Sequence, residues 1–266
     1  LIQKLPLPKF RRAAEARRFL DKTIYDIIAW RRASGEDHGD LLSMLLLAVD
    51  DDRTGMTDKQ VRDEAITLFL AGHETTATAL TWTWYLLSQH PDVEARMHAE
   101  LHQVLGGREP SFDDLPPLQY TEQVLAESMR LYPPVWGFGR MAVRSYRLFN
   151  FEMAPKSVAF MSPYVMHRNP KFYPDPEKFD PERFTPEARQ SRPKFAYFPF
   201  GGGPRVCIGE RFAWMEGVLL VAAIGQRWRM ALAPGHVVEP HPLITLRMRY
   251  GLKMKLTPRE PVTAPS

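Results

Sequence analysis

The sequence contains a single cysteine, Cys207, among its 266 residues. No disulfide can therefore form within the chain, and a zinc site built from several cysteine ligands is excluded. The sequence also lacks a secretory signal and any apolar run long enough to cross a bilayer. Its net charge of +4 is too small to indicate nucleic-acid binding, and no basic run is interleaved with aromatic residues. We therefore expect no nucleic-acid partner.

The chain does contain enough apolar material for one globular core. Hydrophobic residues make up 44% of the sequence and charged residues 25%. No internal repeat and no change in composition marks a boundary, so we interpret residues 1–266 as belonging to one domain. The mildly basic balance is compatible with an acidic protein partner.

The segment from Phe198 to Gly209 reads FPFGGGPRVCIG. Its three consecutive glycines allow positive φ angles and a close approach of the backbone to a flat, bulky group. A helical pattern starts after Gly209, so Cys207 lies where a loop enters a helix. Free amides, the helix dipole and the nearby Arg205 favour the thiolate there. Such a thiolate is suited to ligating a soft metal from one side.

A lone cysteine can also be a buried hydrophobic residue or a catalytic nucleophile. Most single cysteines are small buried hydrophobic residues, and Cys207 without its context would be interpreted in that way. A nucleophilic cysteine needs a base and an orienting partner, and no local signature of that kind accompanies Cys207.

A long helix is predicted from Asp58 to about Gln89, where Pro91 ends it. Thr57 and Gln60 form a capping box at its start. Its length of roughly 45 Å and its largely apolar surface predict a position in the middle of the domain. Residues 71–76 at its centre read AGHETT, a run that weakens a buried helix. The run is either a kink absorbed by packing or a functional site, and we favour the site.

A Glu/Arg pair, Glu127 and Arg130, lies one turn apart on another predicted helix. As a helix-surface pair it would add only a few tenths of a kcal/mol. It is followed directly by Leu-Tyr-Pro-Pro.

The remaining pattern predicts further helices and short strands. The other helices span Lys9–Arg32, Leu41–Val49, Pro91–Leu105 and Thr121–Leu131. The strands span roughly Val143–Phe151, Ser157–Met161, Thr245–Arg249 and Leu252–Thr257, the last two turning at Gly251. We expect a loop at Leu1–Leu7, a frayed tail at Pro258–Ser266 and a hydrogen-bonded structural role for His167.

Three motifs occur together in the order found in a known family: residues 71–76, the Glu127/Arg130 pair, and the pattern F-x-x-G-x-R-x-C-x-G at 200–209. In this combination the chain resembles the cytochrome P-450 superfamily of haem-thiolate monooxygenases. The resemblance implies a mainly α fold with a small β region. Because family members are longer and the sequence starts at Leu1, we expect the C-terminal portion of one haem-thiolate domain, with its N-terminal elements missing.

The resemblance also implies the roles of individual residues. Cys207 would be the axial ligand of the iron of haem b (iron protoporphyrin IX), and Arg205 and Arg140 would bind its propionates. Arg183 would complete an ion network around Glu127 and Arg130 behind the loop. The other expected cofactor-binding and catalytic residues are Phe200, Gly203 and Gly209 in the loop, Ala71 where dioxygen approaches, and Glu74 and Thr75 as the proton relay.

The implied reaction inserts one atom of dioxygen into a small hydrophobic substrate. Electrons would come from a ferredoxin-type or flavodoxin-type carrier with its reductase, docking near Lys194, Arg205 and Arg211. The expected substrate-facing residues are Ala71, Val135, Trp136, Leu243 and Ile244.

Two alternatives stay open. A haem-thiolate enzyme that uses peroxide would dispense with the acid–threonine pair, which this chain retains as Glu74 and Thr75. A truncated haem-binding remnant would bind the cofactor without turnover. With no targeting or spanning segment in the sequence, we expect a cytoplasmic protein.

Overall fold

The structure is a computed structural model and describes residues 8–259. The expected loop at 1–7 and the tail beyond residue 259 lie outside the described residues. The chain divides into two compact units, with the division between His73 and Glu74. Within residues 8–259, no helix has the length and apolar character that a membrane crossing requires.

The described residues form eight α-helices and eight short strands. The helices are α1 (Pro8–Ser34), α2 (Leu41–Leu47), α3 (Asp58–Gln89), α4 (Pro91–Leu105), α5 (Gln119–Leu131), α6 (Pro163–Met166), α7 (Pro186–Gln190) and α8 (Glu210–Arg227). The strands are β1 (Phe138–Met141), β2 (Tyr146–Leu148), β3 (Phe151–Met153), β4 (Val158–Met161), β5 (Trp228–Leu232), β6 (Pro240–Pro242), β7 (Leu246–Met248) and β8 (Met254–Pro258). The predicted mainly α fold with a small β region is confirmed.

The ends of α3 and α4 follow from local sequence signals. The backbone N–H of Thr57 donates to Gln60 Oε1 at 2.9 Å, and the N–H of Gln60 donates to Thr57 Oγ1 at 3.3 Å. This is the predicted capping box, and α3 begins at the next residue, Asp58. Pro91 occupies the first turn of α4, where it loses no helical hydrogen bond, and Gly106 ends α4 with a φ of +57°.

The first unit contains α1, α2 and the start of α3. Asp40 caps α2 by accepting from the backbone N–H of Ser43 at 2.9 Å. Arg31 of α1 donates to both Asp40 oxygens and to Ser43 Oγ. These bonds hold the pKa of Asp40 below its usual range. Helix α2 ends two residues before the predicted Val49, because Val49 instead forms an isolated bridge with Gly55.

The core of the second unit lies between the second half of α3 and helices α4, α5 and α8. Its large buried side chains include Leu87 of α3, Met97 and Leu101 of α4, Leu125 of α5 and Val221 of α8. Gly217 permits the close contact of α8 with α5, because a Cβ there would lie 2.6 Å from Leu125 Cδ2. Helix α5, which carries the Glu/Arg pair, is buried at every position from Tyr120 to Leu131 except Glu122.

The strands pair antiparallel in four separate two-stranded sheets: β1 with β4, β2 with β3, β5 with β8, and β6 with β7. Two strand predictions were wrong. The predicted strand 143–151 breaks into the β2–β3 hairpin, whose turn includes Phe149 at a φ of +52°, a conformation that the sequence does not signal with glycine.

The two C-terminal strands exist, but they do not pair with each other across Gly251. β7 pairs with β6, with His241 opposite Arg247. β8 pairs with β5, with Met230 opposite Leu256. Each strand therefore takes a partner that precedes both of them in the chain.

Candidate functional site

The loop that carries Cys207 is closed by its own backbone. The N–H of Cys207 donates to the carbonyl of Phe200 at 3.0 Å, and a 3-10 turn covers Gly203–Arg205 between them. α8 begins at Glu210, three residues after the cysteine. The thiol is free and exposed. Cys207 therefore lies at the predicted junction of loop and helix, with its sulfur open to a ligand.

The loop requires glycine for two reasons, positive φ angles at two positions and a close side-chain contact at a third. Gly201 and Gly203 have φ angles of +75° and +68°, which a residue with a Cβ rarely adopts. Gly202 is extended, but a Cβ there would lie 2.6 Å from the ring of Phe195. The three glycines thus give the loop a tight, bare backbone, as the sequence predicts.

A buried ion network lies on α5. Arg130 and Glu127 are fully buried, and they are joined by two bonds, from Nε at 2.6 Å and from an Nη at 2.8 Å. Arg183 lies 3.6 Å from the same carboxylate, and the N–H of Asp180 donates to it at 2.9 Å. Burial raises the pKa of Glu127, and Arg130 opposes that rise. The predicted network is confirmed, with Arg183 as its third member.

Arg130 uses all five of its N–H groups. Besides Glu127, it donates to three backbone carbonyls, those of His167, Pro176 and Lys178, at 2.7–3.1 Å. These carbonyls belong to the segment that connects α6 to the 3-10 turn at Pro181–Phe184. One guanidinium therefore fixes both a carboxylate and an irregular stretch of backbone.

His167 connects this network to the cysteine loop. Its carbonyl accepts from Arg130, and its ring Nε2 accepts from the backbone N–H of Phe198 at 2.9 Å. The histidine is fully buried, and burial lowers its pKa to about 3, so the ring is neutral and able to accept. The structural role predicted for His167 is confirmed. No sequence signal indicates that its partner is the start of the cysteine loop.

Two tyrosines hold the same segment. The hydroxyl of Tyr173 donates to the carbonyl of Ala196 at 3.0 Å, and the hydroxyl of Tyr197 donates to the carbonyl of Ala126 at 2.9 Å. The chain entering the loop is therefore anchored at Ala196, Tyr197 and Phe198. Sequence reasoning missed both tyrosines, because an isolated tyrosine does not indicate its partner.

Arg140 lies beside the loop on β1. Its guanidinium lies 4.8 Å from the ring of Phe138 on the same strand. That ring meets Phe198 edge to face at 6.1 Å, and a Cβ added at Gly201 would lie 3.8 Å from it. Arg205 is exposed in the 3-10 turn of the loop. Arg140 Nη1 also donates to the carbonyl of Gly139 at 3.0 Å. Two exposed arginines thus flank the bare loop backbone, and their binding of propionates stays a prediction.

The acid–threonine pair lies on α3 at the start of the second unit. Glu74 Oε1 accepts from Thr245 Oγ1 and from Arg247 Nε at 2.8 Å. Two residues after Glu74, the hydroxyl of Thr76 donates to Glu216 Oε2 on α8 at 3.2 Å. This stretch of α3 is therefore tied both to β7 and to the helix that follows Cys207. Ala71 lies on α3 in the first unit, and its role stays a prediction.

Most of the predicted substrate-facing residues lie close together. Trp136 Nε1 donates to the carbonyl of Leu243 at 2.8 Å, and the N–H of Leu246 donates to the carbonyl of Pro134 at 2.8 Å. Leu243 is 53% exposed and Ile244 is 91% exposed. The segment after α5 and the segment before β7 thus form one surface with apolar side chains open to contact.

The comparison with known families settles the family of this chain. The cytochrome P450 family model matches residues 1–254. The chain belongs to the cytochrome P450 family. Members of this family bind haem b, whose iron is held by a cysteine thiolate.

Relatives and solved structures agree with this assignment. The chain is 45% identical over 248 residues to cyclooctatin synthase of Streptomyces melanosporofaciens, covering 92% of this chain and 54% of that protein. It is 42% identical over 236 residues to cyclooctat-9-en-7-ol 5-monooxygenase of the same organism, covering 88% and 51%. The structure of retinoic acid-bound cyanobacterial CYP120A1 matches with a TM-score of 0.90 at 34% identity, covering 96% and 59%. The chain spans a little over half the length of these P450 relatives.

The residues around the loop fit haem b. The thiol of Cys207, the predicted ligand, is free and exposed. The two positive-φ glycines leave the loop backbone without side chains where a flat macrocycle must approach. Two exposed arginines, Arg140 and Arg205, flank this backbone and suit carboxylate groups at the cofactor's edge.

Proposed function

We propose that this chain carries the haem-binding and proton-delivering part of a haem-thiolate monooxygenase. The reaction would insert one atom of dioxygen into a hydrophobic substrate and reduce the other atom to water, using two electrons and two protons. The observation that carries the proposal is the exposed Cys207 in a bare glycine loop, anchored by a fully buried ion network.

Cys207 would hold the haem iron through its thiolate, and Arg205 and Arg140 would hold the propionates. The haem, when bound, supplies the oxidising chemistry, and a thiolate ligand favours cleavage of the O–O bond. Phe200, Gly203 and Gly209 shape the loop. The hydrogen bonds that anchor Ala196, Tyr197 and Phe198 keep the thiolate in one position.

Glu74 and Thr75 are assigned to proton delivery. Consecutive residues on a helix point about 100° apart, so the two side chains face different directions. Thr75 would hold a water that passes a proton toward dioxygen, and Glu74 would resupply that proton from solvent. The small side chain of Ala71 would leave room on α3 for dioxygen.

The substrate is proposed to be a hydrophobic terpenoid. Support comes from the relatives, one of which is named for its action on cyclooctat-9-en-7-ol, and from the apolar surface of Val135, Trp136, Leu243 and Ile244. Such a surface excludes water from an apolar ligand and offers few polar groups that would restrict its orientation.

Electrons are proposed to come from an acidic carrier, either a ferredoxin or a flavodoxin with its reductase. Lys194, Arg205 and Arg211 are exposed around the cysteine loop. Opposite charge on the carrier would steer it to this face and orient it there. The proposed cytoplasmic location is compatible with such a carrier.

The peroxide-using alternative is disfavoured by the retained acid–threonine pair. Glu74 is held by Thr245 and Arg247, and Thr76 donates to Glu216 of α8, so bonds on both sides of Thr75 fix this stretch of α3. The haem-binding remnant is tested by a haem titration of residues 1–266 followed by a turnover assay with an electron donor. We expect saturable haem binding, and binding without any product would favour the remnant.

The central experiment replaces Cys207 with serine in the haem-loaded protein. We expect Cys207→Ser to abolish the red-shifted carbon monoxide band that thiolate ligation gives. Arg205→Ala tests the propionate assignment, because it should weaken haem retention while leaving that band in place. A wild-type band in Cys207→Ser would overturn the assignment of the ligand, and with it the proposed function.

A further inference from the structure

The carboxylate of Glu74 is held by two donors from one short segment of chain. Thr245 Oγ1 donates to its Oε1, and Arg247 contacts the same oxygen through Nε at 2.8 Å and through an Nη at 2.6 Å. Thr245 is buried at 4% exposure, whereas the side chains of Glu74 and Arg247 are 32% and 53% exposed. The carboxylate therefore lies at the protein surface, with one oxygen fixed from the buried side.

The segment that supplies these donors is itself rigid. Its middle residue, Leu246, accepts through its carbonyl from Trp82 Nε1 on α3 at 2.7 Å, and it donates to the carbonyl of Pro134. Trp82 is buried and stacks on Tyr132 with ring centroids 3.8 Å apart. β7 is thus fastened to the same helix that carries Glu74, so its side chains have a fixed position relative to the carboxylate.

The ion pair of Glu74 and Arg247 contributes too little to stability to explain why these donors converge on the carboxylate. An ion pair that is about half exposed contributes roughly 0–1 kcal/mol to stability. Three charge-assisted contacts, two from Arg247 and one from Thr245, nevertheless converge on Oε1 and hold that oxygen in place. Proton transfer requires donor and acceptor within about 2.6–3.2 Å, and a displacement of about 1 Å can cost roughly 100-fold in rate. Orientation is therefore the property that these two donors control.

We propose that Thr245 and Arg247 are positioning residues that hold Glu74 in the orientation needed for proton delivery. This inference rests on the proton role proposed for Glu74 above. Neither residue touches the reacting atoms. Loss of either lets the carboxylate rotate and leaves the proton relay incomplete for part of the time.

The main variants are Arg247→Gln and Thr245→Val in the haem-loaded protein supplied with its electron donor. Each should lower product formed per electron consumed, increase the solvent isotope effect and slow turnover by about 10-fold. That is less than the roughly 10²–10⁴-fold contributed by a general acid–base group itself, because the carboxylate is displaced and not removed. Arg247→Lys and Thr245→Ser retain a donor and should recover most of the loss. In the Arg247→Gln, Glu74→Gln double variant, turnover should be no slower than in Glu74→Gln.

A matched control is available on the same stretch of chain. Arg249 pairs with Glu239 at 2.8 Å and is 46% exposed, so Arg249→Gln removes the same charge from a similar surface pair. It should leave coupling and the isotope effect unchanged. Equal effects of Arg247→Gln and Arg249→Gln would reduce the role of Arg247 to general electrostatics and overturn the inference.

A second readout does not depend on activity. Carbodiimide labelling of carboxylates, measured by peptide mass spectrometry, should modify Glu74 faster in Arg247→Gln and Thr245→Val than in wild type. Glu64, exposed on the same helix, serves as the internal reference. Unchanged labelling of Glu74 would show that the two donors do not hold it. Faster labelling with wild-type turnover in Glu74→Gln would instead overturn the proton role, and the inference with it.

Discussion

Replacement of Arg130 by lysine tests whether the buried network holds the cysteine loop. The substitution keeps the positive charge beside Glu127 but reduces five N–H donors in a planar fork to three on a flexible stem. In the structure all five donors are used, two on Glu127 and three on backbone carbonyls. At least two acceptors therefore lose their partner in Arg130→Lys.

The expected cost follows from the burial of those acceptors. An orphaned buried acceptor costs about 1–3 kcal/mol, so two of them predict a loss of about 2–6 kcal/mol. Complete removal of the arginine would leave the buried carboxylate of Glu127 with only the more distant Arg183 as a cationic partner, at about 3–5 kcal/mol for the broken pair alone. A domain is stable by about 5–15 kcal/mol, so Arg130→Lys should still fold and its loss should be measurable.

The assay is urea unfolding of the haem-loaded protein, followed by circular dichroism and by haem release. The matched control is Arg189→Lys. Arg189 pairs with Glu122 of α5 at 2.8 Å, but both side chains are about 40% exposed. That control should lose less than about 1 kcal/mol.

The location of the damage is also predicted. Because Arg130 holds the carbonyl of His167, whose ring in turn holds Phe198, haem release should accelerate in Arg130→Lys and not in Arg189→Lys. Arg130→Lys within about 0.5 kcal/mol of wild type, or equal costs for the two variants, would refute the reasoning.

Three further predictions concern proton delivery, the electron donor and pH. Thr75→Ala should retain haem binding and electron uptake but divert reducing equivalents into hydrogen peroxide. If this variant instead forms as much product per electron as wild type, the peroxide-using alternative is favoured. Binding of the electron carrier should weaken as salt rises, because exposed charges are screened beyond about 8 Å at physiological ionic strength, and a flat salt dependence in titrations would indicate an apolar interface. The pKa of His167 is lowered to about 3 by burial, so the unfolded chain binds a proton near pH 6.5 that the folded chain does not. The free energy of unfolding should therefore fall by about 2 kcal/mol from pH 7 to pH 5, on top of a similar contribution from His98, whose pKa is lowered to about 4. Urea unfolding of His167→Gln should show a smaller fall, and equal pH dependence of the variant and wild type would contradict the role of burial.

The helix boundaries could be predicted where the signal is local. A capping box, a proline in the first turn and a glycine after the last turn act within four residues of the helix end. For that reason α3 and α4 were found with their observed bounds, Asp58–Gln89 and Pro91–Leu105. The cysteine loop was predictable for the same reason, since its glycines, arginine and cysteine lie within ten residues.

The pairing of strands could not be predicted in this way. A short apolar strand fits several partners equally well, and only packing in the folded chain selects one. The predicted hairpin at Gly251 failed because β5 and β6, which come earlier in the chain, pair with β8 and β7.

The sequence predicts the residues that we propose for the chemistry, the thiol of Cys207 and the pair of Glu74 and Thr75, and it also predicts the ion pair of Glu127 and Arg130. The groups that hold these residues are seen only in the folded chain. The donors to Glu74 lie more than 170 residues away from it, and the bond from Phe198 to His167 joins residues 31 apart. The physical reason is that a hydrogen bond depends on distance in space, and a side chain's sequence neighbours do not indicate which distant group will satisfy it.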